Sequence, residues 1–326
     1  MRSFARILLV FALAASVLLV AAWYERPGLR EYHDHLFPQQ QPAHPLAVRA
    51  TWLGVTALLL TDGRHSVMID PFFTRPPGLL SMVLDRQIAP DEALIQQWLT
   101  KLGVTRLDAV LVSHSHFDHA MDAGVVARLT GAQLVGSPST LNIGRGAGLT
   151  EERLIKADPA TPMKFGDFDV SFIESAHAGK TGGKPTGEIA GPLSPPAHYL
   201  DYKLGGTYSI LIAHPQGSLL HHGSAGFIPG ALDGHHADVV FLGVALIDEI
   251  EPYLRETVDA VGATRVIPTH WDDFTTPLDS PLVPIPFAVH LDDFFDDMRR
   301  LRPSLQVQTM LPDRTVTLFP SKSRGD

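Results

Sequence analysis

The reading turns on Ser113-His114-Ser115-His116-Phe117-Asp118-His119. Four metal-capable side chains stand between positions 114 and 119. They follow Leu107–Val112, a run that is apolar apart from Asp108 and reads as a buried strand. The strand therefore delivers its ligands to the loop at its C-terminal edge. A turn there can aim alternate imidazoles, His114 and His116, at one ion and leave Asp118 and His119 facing a second. Imidazole nitrogen and carboxylate oxygen are good zinc ligands, and a catalytic zinc keeps one position open for water.

The whole chain narrows the choice of chemistry. It has 326 residues, of which 45% are hydrophobic and 19% charged, so it is globular rather than disordered. It has no cysteine, which excludes disulfides, thiolate metal sites and a cysteine nucleophile. The formal charge is −9 and no stripe of Lys or Arg is present, which argues against nucleic acid as a partner. No phosphate loop, dinucleotide fingerprint or Gly-x-Ser-x-Gly elbow occurs, and Gly223-Ser224-Ala225-Gly226 is not one.

Working outward, Leu46–Leu60 and Ser66–Ile69 read as strands around the turn Thr61–Arg64, and Asp70-Pro71 ends the second. Helical spacing marks 90–102, 121–130, 252–261 and 291–301. Further strands are expected at 134–135, 168–173, 207–212, 218–222, 239–242, 265–267, 305–310 and 315–319, and a short helix or turn at 151–156. The Gly- and Pro-dense stretch 178–206 reads as a long loop that shapes a substrate pocket, with Tyr199 and Tyr202 as its walls. One domain, 46–320, fits this order, followed by a polar tail, 321–326.

The N-terminus differs. Two arginines precede Ile7–Trp23, an apolar run broken only by Ser16. Residues 1–24 read as a signal peptide or a membrane anchor, and 25–45 as a linker in which His33, His35 and His44 are solvated. The domain is then exported, either periplasmic or anchored in a membrane with its body outside the cytoplasm. An N-terminal segment that is retained contacts the membrane.

His-x-His-x-Asp-His after an apolar strand resembles the signature of the metallo-β-lactamase superfamily. Trp52-Leu53-Gly54 with Met68-Ile69-Asp70-Pro71, then Ser175-Ala176-His177, then Pro268-Thr269-His270-Trp271, follow that family's order. The resemblance spans most of 46–320. It implies an α/β fold, a four-layer αββα sandwich, and a zinc hydrolase. In such an enzyme a metal-bound hydroxide cleaves an ester, lactone or phosphodiester-type bond in a small-molecule or lipid-like substrate. It assigns His114, His116 and His177 to a first metal, and Asp118, His119 and His270 to a second. Asp118 is then the catalytic residue that orients the nucleophile and takes its proton, and Asp70 supports the site.

One departure stands out. Many relatives carry a Gly-Asp pair whose carboxylate bridges two metals, and here Ser224 holds that position. A hydroxyl is a poor bridge, which leaves one or two zinc ions open. His222 and Asp272 are the groups in sequence reach, as supports or substitutes. His222 and Ser224 are also candidate donors to developing negative charge. The alternative is a non-catalytic or degenerate metal-binding relative. An oxygen-reactive di-iron site is a further option, but it usually needs a bridging carboxylate.

Overall fold

The computed structural model describes residues 31–38, 44–76, 78–179, 183–285 and 289–320, with residues 4, 6, 7, 10, 11 and 13–18 near the N-terminus. The expected leader or anchor lies largely outside these, and the polar tail wholly so. Among the described residues no helix is long and apolar enough to cross a membrane.

The first half of the domain contributes β1 (Val48–Trp52), β2 (Leu58–Thr61), β3 (Ser66–Ile69), β4 (Gln87–Ile88), β5 (Ala109–Leu111), β6 (Gln133–Gly136) and β7 (Leu154–Lys156). The second contributes β8 (Met163–Phe165), β9 (Phe168–Glu174), β10 (Ala197–His198), β11 (Tyr208–His214), β12 (Gly217–His222), β13 (Val239–Gly243), β14 (Arg265–Thr269), β15 (Gln306–Val307) and β16 (Thr315–Phe319). They form two seven-stranded sheets, β16-β1-β2-β3-β5-β6-β7 and β15-β14-β13-β12-β11-β9-β8. Each sheet is antiparallel at its hairpin end and parallel at the other. Parallel neighbours need crossovers, and helices supply all but the β12–β13 connection, so each sheet carries helices on its outer face. This is the αββα arrangement that the sequence led us to expect.

The parallel strands are buried on both faces. Ala109-Val110-Leu111 and Val239–Gly243 have no exposed residue, which is why they read as unbroken apolar runs. The helices follow their caps. Glu92–Lys101 starts at Asp91, whose carboxylate accepts from Leu94 N at 3.0 Å, and buries Ile95, Trp98 and Leu99. Leu291–Leu301 buries Leu291, Phe294, Phe295 and Met298 along one stripe, each contributing roughly 1.5–3 kcal/mol.

The structure corrects several sequence expectations. Leu46–Leu60 is two strands, not one, because the chain turns at Leu53–Ala57. Gly54 has φ +80 there, and a Cβ would overlap the Arg75 guanidinium. Pro138–Gly146 is a helix that apolar periodicity missed. Its signal was the pair Ser137-Pro138, an N-cap followed by proline in the first turn, and Ser137 Oγ accepts from Thr140 N at 3.2 Å. The 151–156 segment is a 3-10 turn running into β7, and the helix expected at 252–261 is Ile250–Leu254 continued by a π turn, Arg255–Asp259. The linker is partly docked. Tyr32 is buried, His35 stacks on Phe295 at 3.8 Å rather than lying solvated, and Phe37 N donates to Thr309 O.

Candidate metal centre

The site forms along the C-terminal rims of both sheets. β5 ends at Leu111, three residues before His114, and the following turn carries His116 and the short helix Phe117–Ala120 with Asp118 and His119. From the second sheet, His177 follows β9 and His270 follows β14. All six expected ligands come together in two groups: His114, His116 and His177, then Asp118, His119 and His270. Within each, one candidate ligand atom per residue lies within 4.8 Å of the others.

Each imidazole of the first group has one nitrogen engaged and one free. His177 Nδ1 lies 2.9 Å from Ala178 O, which leaves Nε2. His116 Nε2 lies 3.3 Å from Pro185 O, which leaves Nδ1. His114 Nδ1 lies 3.2 Å from Ser113 Oγ, and its buried Nε2 has no partner. The three rings meet edge to face, with centroids 4.8–4.9 Å apart. Burial lowers the basicity of all three: His114 falls well below the ordinary histidine value, His116 to about 4, and His177 below normal. Neutral imidazoles with one lone pair each are what a zinc ion takes.

The second group is tighter. His119 Nε2 and His270 Nε2 are 3.3 Å apart, and Asp118 Oδ2 is 3.4 Å from His270 Nε2 and 3.6 Å from His119 Nε2. Ligand atoms around a tetrahedral zinc with bonds near 2.05 Å are about 3.3 Å apart, so these edges fit. Burial raises the Asp118 carboxyl, but His119 and His270 outweigh it and hold it below the usual range. The His119 pKa is lowered by burial and raised more strongly by Asp118 and Asp70. The donor set of both groups fits a divalent metal.

Asp70 does not ligate. It sits beneath the site, unexposed, with Oδ1 accepting from Ser113 N at 2.7 Å. Its Oδ2 accepts from Ser113 Oγ, Thr56 Oγ1 and His119 Nδ1 at 2.6, 2.9 and 2.9 Å. These bonds fix the His119 ring with Nε2 outward. Asp70 and His270 both adopt left-handed backbone, φ +44 and +56, an uncommon conformation that clusters at functional sites.

The other candidates are placed as follows. Asp272 lies outside both ligand groups and braces the turn: Oδ2 pairs with Arg75 Nη1 at 2.8 Å and Oδ1 accepts from Val55 N at 2.7 Å, with neither side chain exposed. Val55 O in turn accepts from His270 N at 2.7 Å, so Asp272 positions the last histidine through the first hairpin turn. His222 is not a ligand or donor to the pocket either. Its Nδ1 meets Ser209 Oγ at 2.7 Å and its Nε2 meets Gly226 O at 2.8 Å. Ser224 lines the pocket, and its Oγ accepts from Ala178 N at 2.9 Å, steadying the His177 segment. Tyr199 lines the pocket, packed edge-on against Phe117 at 4.8 Å. Tyr202 does not: it is buried outside the pocket lining. Sequence reasoning missed Thr56, Arg75, Ser113 and His221. His221 Nε2 donates to Thr56 O at 2.9 Å under the site. Ser113, which opens the signature stretch, was the only one with a local signal.

Residues 50–243 match the metallo-beta-lactamase superfamily profile. The chain is 24% identical over 231 residues to the UPF0173 metal-dependent hydrolase of Pyrobaculum islandicum, covering 68% of this chain and 84% of that protein. Its fold is similar to Igni18, a metallo hydrolase of Ignicoccus hospitalis, with TM-score 0.57 and 19% identity over 85% of this chain and all of that one. It is also similar to CmlA, a diiron β-hydroxylase of Streptomyces venezuelae, with TM-score 0.50 and 16% identity over 86% of this chain and 55% of that one. The sandwich, the two ligand groups at its rim and the profile match over most of the domain agree, and the chain belongs to the metallo-beta-lactamase superfamily.

Proposed function

We propose that this chain is a zinc-dependent hydrolase of ester, lactone or phosphodiester-type bonds, exported across a membrane. Its relatives include proteins named as metal-dependent hydrolases. The observation that carries the reading is the convergence of three uncommitted imidazole nitrogens, from His114, His116 and His177, beside the Asp118 group. Zinc, when bound, acidifies water toward neutral pH and polarises a scissile carbonyl or phosphoryl oxygen.

The chain's own residues do the rest. Asp118 stays ionised, faces the pocket, and accepts the proton that the attacking water gives up. His116, His177 and His270 line the same cavity of about 380 Å³ and set where the reacting bond lies. The Ser224 oxygen is occupied by Ala178 N, but its hydroxyl hydrogen is free to donate to negative charge on the substrate. Buried Phe117 and Tyr199 keep bulk water from the inner wall.

Export rests on the N-terminal sequence, two arginines ahead of the apolar run Ile7–Trp23. A second reading is favoured by Ser224, which supplies no bridging charge: a metal-binding relative without turnover. Metal analysis of the full chain, with a panel of esters, lactones and phosphodiesters, separates the two. Zinc with turnover, both lost in His116→Ala, supports the hydrolase. Turnover and metal content unaffected by His116→Ala would reject the site.

A further inference from the structure

The pocket beyond the two ligand groups is apolar. Its outer part is lined by Met82, Phe117, Tyr199, Leu200, Leu246 and Phe274. Phe117 is central, with Tyr199 edge-on at 4.8 Å and Phe274 at 5.9 Å. Apart from the ligand groups and Ser224, the lining side chains capable of hydrogen bonding are the Tyr199 hydroxyl and the Lys184 ammonium. A sugar, nucleoside or peptide would leave most of its donors and acceptors unpaired there, at a cost of about 1–3 kcal/mol for each buried group.

The apolar surface continues outside. Leu200 and Leu246 are 54% and 51% exposed at the mouth, and Val83 and Leu84, which follow Met82, are 74% and 55% exposed. Among the described residues of 31–320 the exposed large hydrophobic residues are Val83, Leu84, Leu200, Ile228, Leu246 and Leu311. Two of those six, Leu200 and Leu246, line the pocket, and two more, Val83 and Leu84, directly follow its Met82 in the chain. Scattered exposed leucines need no explanation, but a cluster continuous with a pocket does.

The rim is built, not loose. β4 and β10 pair as a two-stranded clasp, Ile88 with Ala197 and Gln87 with His198. Asp85 ties it further: its Oδ1 accepts from Leu200 N at 2.9 Å, and its carbonyl lies 2.5 Å from His198 Nδ1. The clasp sets Leu200 over the pocket and joins the segment carrying Met82 to the long loop carrying Tyr199.

We propose that this pocket is a straight-chain acyl site. The substrate is an ester or lactone whose acyl chain lies along Phe117, Tyr199 and Phe274 and leaves between Leu200 and Leu246, with its scissile bond at the ligand groups. The position of that bond rests on the hydrolase reading; the chain site does not.

Binding tests it separately from turnover. The full chain, with and without zinc, is titrated calorimetrically with butanoate, hexanoate, octanoate and decanoate. Affinity should rise about fourfold per added methylene until the cavity is filled, in both metal states. Leu200→Asn/Leu246→Asn, changed at exposed positions that leave the core intact, should weaken decanoate about tenfold or more and leave butanoate unchanged. Affinity independent of chain length, or equal weakening of butanoate and decanoate, would overturn the proposal. Chain-dependent binding without hydrolysis of the matching esters would instead count against the hydrolase reading.

Discussion

Asp70 and His119 share a 2.9 Å hydrogen bond, Oδ2 to Nδ1, at a point where neither side chain is exposed. The carboxylate takes four donors in all, and the imidazole is one of them. The His119 ring is therefore aimed before any ion arrives. Asp70→Asn keeps the shape and loses the charge. Metal affinity at the Asp118, His119 and His270 group should fall about 10–100-fold, with a smaller change at the His114 group. Titration with a chelating indicator, read as stoichiometry, checks this; two unchanged binding steps would contradict it.

Arg75 and Asp272 form an unexposed ion pair that holds the turn under His270. Arg75→Met leaves Asp272 buried and uncompensated, so stability should drop by about 3–5 kcal/mol. Adding Asp272→Asn should restore part of the loss. Urea midpoints of the single and double variants measure it, and a double variant no better than Arg75→Met would show that the pair is not coupled.

Asp122 gives a pH dependence with a definite sign. Its Oδ2 accepts from Phe73 N and Thr74 N, but Oδ1 is buried without a partner, and burial pushes its carboxyl up to about 7. A raised carboxyl pKa means that the folded state holds a proton the unfolded chain has released. Its contribution is complete below pH about 4 and is lost as the pH rises toward about 7, up to about 4 kcal/mol. Asp122→Asn should remove that slope. Thermal melts of both proteins across this interval, without metal, test it; parallel curves would exclude the effect.

Ser224 stands where a bridging carboxylate would neutralise two cations. Ser224→Asp should tighten the weaker metal step by about tenfold or more, because an oxygen anion replaces a hydroxyl beside the ions. Competition with a chelator measures the change, and equal retention in both proteins would show that position 224 does not face the metals.

The signature 113–119 was legible because all its chemistry is local: a buried strand and the turn after it are visible in one short window. His177 and His270 were readable only through family order, since nothing around either marks it as a ligand. Asp272 looked like a spare carboxylate because its partner, Arg75, lies 197 residues away in the chain. The helix Pro138–Gly146 has glycines at 144 and 146, which hid its periodicity. Gly144 is small for a packing reason: a Cβ there would press on Leu134 and Leu154 at 2.6–2.7 Å. The clasp of β4 and β10 was invisible for the same kind of reason, since two-residue strands carry no alternation to read.

The ligand groups take His114, His116, Asp118 and His119 from the rim of one sheet and His177 and His270 from the rim of the other. An ion held there acts as a rivet through two plates. Its binding energy becomes cohesion between the halves of the fold, growing with the logarithm of free metal above the dissociation constant. The same rivet ties this protein's stability, as well as its chemistry, to metal supply.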